Sequence, residues 1–146
     1  MEEQFIILLI EDNSAHAELF KRCLEDQDQK IIFNHVIDGE QGQDYLNNRN
    51  SFADKSENPR PNVILLDLKL PKVSGLQVLA SIKKSDDLKA IPVIVFSSSQ
   101  ATPDIKKALE LGANSYLTKP ADFGTFSLLA ESIISYWARW DQLSKI

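Results

Sequence analysis

Cysteine is almost missing from this sequence. Cys23 stands alone among 146 residues, so no internal disulfide and no thiolate metal cluster can form, and its place on the apolar face of a helix reads as packing. Long hydrophobic runs are missing too: none approaches the roughly 20 residues that cross a bilayer. The stretch Phe5 to Ile10 follows an acidic Met1-Glu2-Glu3, where a secretion signal would be basic. Basic residues are outnumbered, 16 against 21 acidic for a net charge of −5, which disfavours unaided binding to nucleic acid, since that needs a basic stripe. Lys106-Lys107 reads as a solvated helix face. Histidine occurs only as His16 and His35, neither with a second ligand at metal spacing, so both read as structural or surface residues. Glycine (5) and proline (6) are sparse, which excludes a collagen-like repeat. These absences point to a cytoplasmic chain that partners neither membrane nor nucleic acid directly, and the length suits one domain over residues 1–146.

What is present is a five-fold alternation of apolar, strand-length runs with helix-period segments. The apolar runs are Phe5–Ile10, Ile31–Val36, Val63–Leu66, Pro92–Phe96 and Ser115–Thr118. Near-continuous apolarity is the mark of strands covered on both faces. Between them, helices are expected from Asn13 or Ser14 to about Asp26, around Gln41–Leu46, over Leu76–Ile82, and after a Thr102 cap with Pro103 at the first position and Gly112 at the stop. A last helix is expected over about 123–140. Residues 47–62, polar and bearing Pro59 and Pro61, read as a long loop and the most flexible segment. Asp38 shapes an Asp-Gly turn. Five βα units argue for an α/β fold, an open five-stranded parallel sheet with helices on both faces.

The polar residues fall at informative places. Ligands of open α/β sheets bind outside the carboxyl ends of the strands, where strand order reverses. Four strands here end on a residue able to do chemistry: Glu11-Asp12, Asp67, Ser97 and Lys119. With the flavodoxin-like order 2-1-3-4-5 the first and third strands are neighbours, and three carboxylates converge. Crowded carboxylates repel unless a hard divalent cation joins them, and Mg2+ (or Mn2+) suits oxygen ligands. An ammonium and a hydroxyl beside Asp67 would suit an added phosphoryl group.

Glu11-Asp12, Leu65-Leu66-Asp67-Leu68, Pro71, Gly75, Ser97 and Lys119-Pro120, in this order and spacing, resemble the receiver-domain pattern of two-component response regulators over essentially the whole chain. The resemblance implies that Asp67 takes a phosphoryl group from a sensor histidine kinase. It implies that Asp12 ligates the metal directly, Glu11 through water, and Lys69 through its backbone carbonyl. Lys119 would pair with the phosphoryl oxygens, the Lys119–Pro120 bond would be cis, and Ser97 with Tyr116 would form the switch. Strand three with its flanks, the long loop and the Tyr136-Trp137 end are similar to the single-domain regulators of cyanobacterial phytochromes, which implies a phytochrome kinase as partner. The domain would be a phosphoacceptor, at most catalysing its own phosphorylation and dephosphorylation.

Aromatic and aliphatic residues on the last helix, Phe123, Phe126, Ile133, Ile134, Tyr136, Trp137 and Trp140, occupy more than one stripe. The excess fits either a wider core seam or a self-association or partner surface, and it motivates the expectation of a homodimer formed on phosphorylation. Lys69 and Ser99, each two residues past a site residue, stand where the resemblance implies side chains that overhang the site, and the extra positive charge of Lys69 should alter the lifetime of an aspartyl phosphate. Three other readings compete. A haloacid-dehalogenase-like phosphatase needs an acid where Lys69 stands. A flavodoxin needs a phosphate loop where Glu11-Asp12 would repel the anion. An unphosphorylated scaffold would not need Asp12, Asp67 and Lys119 together.

Overall fold

The computed structural model describes residues 4–25 and 31–136. Its elements are β1 (Phe5–Ile10), α1 (Ser14–Glu25), β2 (Ile31–Val36), α2 (Gly39–Leu46), β3 (Val63–Leu66), α3 (Gly75–Lys84), β4 (Val93–Ser97), α4 (Thr102–Glu110), β5 (Ser115–Thr118) and α5 (Phe123–Ser135). The strands form one parallel sheet in the order β2-β1-β3-β4-β5. This is the flavodoxin-like order expected from the sequence.

Alternation along the strands splits the core in two. Leu8, Ile10, Ile64, Leu66, Val93 and Val95 face the side of α2, α3 and α4, where they pack with Val78, Leu79, Ile82 and Ala108. Their neighbours Ile7, Leu9, Leu65, Ile94 and Phe96 face α1 and α5, where they pack with Phe20, Cys23, Phe126 and Ile134. Both sides of the central strands are therefore apolar, as their continuous runs require.

Local chemistry starts the helices. Asn13 Oδ1 accepts from the amides of Ala15 and His16. Asp38 caps α2 by accepting from Gln41, and Ser74 with Gln77 forms a reciprocal capping box on α3. Asp122 caps α5 through the amide and hydroxyl of Thr125. Thr102 differs from its expected place. The cap is Ala101, which makes no side-chain bond, and Thr102 is already the first helical residue. Ser99 takes over the anchoring instead, since its hydroxyl donates to Asp104 Oδ2 at 2.6 Å. Gly112, with φ of +105°, closes α4 as expected.

The 47–62 segment is held more firmly than its polarity suggested. It carries a short 3-10 helix at Asn50–Phe52, and the Asn48 side chain donates to the carbonyls of Phe52 and Asn58. Buried Tyr45 donates its hydroxyl to Pro59 O and accepts from Asn34. Among the described residues, no helix is long and apolar enough to cross a membrane.

Candidate functional site

The strand ladder continues one residue past three of the strands, which is what aims the polar groups. The amide of Glu11 donates to Val36 O, that of Asp67 to Ile10 O and that of Lys119 to Ser97 O, at 3.0, 3.1 and 2.8 Å. Each residue after a strand tip is thus pinned to its neighbour, and the three side chains meet. Behind Asp67 the chain must pass very close. A Cβ on Gly75 would lie 2.2 Å from Asp67 O, so only glycine fits at the start of α3.

Lys119 Nζ donates to Asp67 Oδ2 at 3.1 Å and to Glu11 Oε1, with its side chain only 6% exposed. Asp67 Oδ1 accepts from the amide of Lys69 at 3.3 Å. Ligand oxygens of Glu11, Asp12 and Asp67 lie within 4.8 Å of one another, with Asp12 exposed and the other two buried. Burial pushes the Glu11 carboxyl up to about 8, and the neighbouring Asp67 adds to the rise against the opposing pull of Lys119. Burial would also raise Asp67, but the Glu11 contact and the Lys119 charge outweigh it and hold Asp67 below the ordinary carboxylate value. The result is a divided pair, in which Asp67 is ionised and nucleophilic while Glu11 resists ionisation.

Glu11 Oε2 decides whether a cation fits. It is buried and has no hydrogen-bond donor. A protonated Glu11 can share its proton with Asp67, whereas an ionised Glu11 leaves a buried oxygen without a donor in a set of three carboxylates. Such an oxygen-only set suits a hard divalent cation. Glu11, Asp12 and Asp67 would hold it.

Around this centre the expected residues are placed as follows. Ser97 is fully buried at the end of β4, and its Oγ accepts from the amide of Ser99. The Tyr116 hydroxyl donates to Ser99 O at 2.8 Å. Lys69 and Ser99 flank the site, one with an exposed side chain and the other buried. The Lys119–Pro120 peptide is trans, not cis. Trans is the lower-energy isomer of such bonds by about 0.5–1 kcal/mol, and the Lys119 amide already meets Ser97 O with the bond in that form.

Two candidates for an interface prove to be core. Phe126 and Ile134 are 3% and 0% exposed, because positions 126, 130, 133 and 134 form the stripe of α5 that packs on α1 and the sheet. Phe123 and Tyr136 are exposed, as is Leu128, which the sequence reading did not single out. Trp137 and Trp140, with the end of the last helix, lie outside the described residues.

His16 is the residue that sequence reasoning missed. Its Nδ1 lies 2.8 Å from Glu11 Oε1 and 3.1 Å from Lys119 Nζ. A signal was available: His16 sits four residues after Asp12, one helical turn beyond the acidic pair and over the same strand end. His35 is structural as expected, with Nε2 2.6 Å from Glu11 O.

The family model described as the response regulator receiver domain matches residues 7–130. The probable methanogenesis regulatory protein FilR2 of Methanothrix harundinacea is 40% identical, covering 97% of this chain and 88% of its own. The response regulator Rcp1 of Synechocystis sp. is 37% identical over 90% of this chain and 88% of its own. Among solved structures, the Mn2+-bound form of Rcp1 superposes with a TM-score of 0.88 at 35% identity, covering 93% of this chain and 96% of that one. The phosphorylated cyanobacterial phytochrome response regulator RcpA gives a TM-score of 0.89 at 35% identity over 94% and 96%.

Proposed function

We propose a role for each residue of this pocket, proceeding from the fact that the chain belongs to the response regulator receiver domains. It is a signalling domain of a two-component system, and such domains take a phosphoryl group from a histidine kinase. In our reading Asp67 is the acceptor. Its oxygen forms the new O–P bond as the P–N bond of the donor phosphohistidine breaks. The observation that carries this assignment is the ion pair between Lys119 and Asp67 at 3.1 Å inside a cluster of three carboxylates.

In this reading Lys119 meets the oxygens of the added group, and Ser97 and Tyr116 follow it. A Ser97 hydroxyl drawn towards Asp67 must leave the Ser99 amide, whose carbonyl holds Tyr116. Bound Mg2+ would supply charge neutralisation for the transferring group, held by Glu11, Asp12 and Asp67 with the Lys69 carbonyl as a further oxygen. Lys69 excludes the phosphatase reading, because an ammonium cannot act as the required carboxylic acid. The domain acts as a phosphoacceptor and catalyses at most its own phosphorylation and dephosphorylation.

Two finer assignments complete the reading. The kinase is of the phytochrome type, supported by the likeness to Rcp1 and RcpA. The phosphorylated form is a homodimer through α5, whose exposed apolar residues are Phe123, Leu128 and Tyr136.

The test is incubation with acetyl phosphate, with and without Mg2+, read by intact mass. One phosphoryl group is expected on the unaltered chain with Mg2+ and none on Asp67→Ala; equal addition to both would sink the assignment. Sedimentation of the same samples checks the dimer, which fails if phosphorylated and unphosphorylated protein have one mass.

A further inference from the structure

Lys119 is the group whose placement matters most to phosphoryl transfer, and two carboxylates compete for it. Both Glu11 and Asp67 belong to the oxygen set able to hold a cation. The third neighbour of the ammonium is neither acidic nor part of that set. It is His16 Nδ1, at 3.1 Å. The ring itself is held from behind, stacked on Phe126 with centroids 4.8 Å apart and planes 27° from parallel. Phe126 in turn packs edgewise against Phe20 and obliquely against Phe96, and Lys119 Nζ lies 6.0 Å from the centre of the Phe96 ring. One aromatic floor therefore carries both the imidazole and the lysine it touches.

We propose that His16 is a positioning residue for phosphoryl transfer at Asp67, with its Nδ1 and its stack on Phe126 together fixing where the Lys119 ammonium stands. This deepens the receiver reading and rests on it. The physical ground is directional. An ammonium between two carboxylates can follow either. Nδ1 also lies 2.8 Å from Glu11 Oε1. With its proton on Nδ1 the ring, fixed by its stack, donates to that oxygen and takes up the acceptor that would otherwise draw Lys119 away from Asp67. Since transfer depends on prealigned charge, a lysine free to drift towards Glu11 would stabilise the transferring group less well. His16 touches neither the phosphoryl group nor its donor in this role. It acts through Lys119.

The experiment compares the full chain with His16→Phe, which keeps a stacking ring but lacks the nitrogen, and with His16→Asn, whose amide group can reach the place of Nδ1. Uptake from acetyl phosphate with Mg2+ is followed by intact mass. The Lys119 Cε–Hε NMR signal, assigned through Lys119→Arg, is recorded separately without phosphodonor or cation. We expect His16→Phe to slow uptake about tenfold, the loss of one charge-assisted hydrogen bond, and to move the Lys119 signal. His16→Asn should recover most of the rate. In a Lys119→Ala background His16→Phe should change nothing further.

Wild-type uptake and an unmoved Lys119 signal in His16→Phe would overturn the role of His16 while leaving the receiver function standing. So would an equal slowing of both backgrounds. No uptake by the unaltered chain would overturn the receiver function and this inference with it. If a second phenyl ring beside Phe126 prevents folding, His16→Leu repeats the test.

Discussion

Glu11 and Asp67 are chemically alike and sit in one pocket, yet the fold drives them apart. Glu11 loses more from burial than Lys119 returns, and Asp67 gains more from its partners than burial costs. That division has a measurable consequence for stability without divalent cations. Glu11, raised from 4.5 to about 8, binds its proton more tightly folded than unfolded, so its contribution is intact below 4.5 and is lost as pH climbs to about 8. Asp67 and His16, both lowered, act in the opposite sense, but only below their ordinary values of 3.8 and 6.5. Between pH 6.5 and about 8, Glu11 therefore dominates among these three. The urea midpoint of chelator-treated protein should fall across that window, and Glu11→Gln should flatten the fall. A midpoint that rises with pH there would contradict the burial argument.

Helix α5 shows how one element sorts its apolar residues. Of the positions read from sequence as a candidate interface, Phe126 and Ile134 lie on the buried stripe and Tyr136 lies off it, while Phe123, in line with the stripe but at the first residue of the helix, stays exposed. Truncation should separate the two sets sharply. Phe126→Ala removes a ring stacked with His16 and packed on two other rings, and should cost about 3–5 kcal/mol in denaturant unfolding. Phe123→Ala, at a site 66% exposed, should change the stability of the monomer by no more than about 0.5 kcal/mol. Comparable losses at both positions would mean that the start of α5 is packed more deeply than described.

For the whole molecule, the acidic cluster makes folding, cation and protons one coupled system. A cation bound by Glu11, Asp12 and Asp67 stabilises the folded state by mass action, about 2.7 kcal/mol at a hundredfold excess over its dissociation constant. Because Glu11 must give up its proton, binding should weaken by up to about tenfold for each pH unit below its value near 8. Titrating Mg2+ or Mn2+ against the melting temperature at pH 6, 7 and 8 checks both statements. Asp12→Ala should abolish the stabilisation, and an unchanged response in that variant would place the cation elsewhere.

Much of this protein is legible along the chain because its signals are local. Continuous apolar runs fix strands buried on both faces, polar residues stop those runs abruptly, and the stops are where Glu11, Asp12, Asp67, Ser97 and Lys119 stand. The cap at Asn13 and the stop at Gly112 belong to the same class, since each acts within a few residues of itself, while Asp38, read as a turn residue, also caps α2. The tertiary structure alone decided which distant groups touch. Lys119 meets Glu11 across 108 residues and His16 across 103, contacts that exist only because the crossovers bring β1 beside β3, and β5 to the end of the sheet beyond β4. Whether Phe126 faced a partner or the core likewise depended on where α1 lies, and no pattern internal to α5 carries that information.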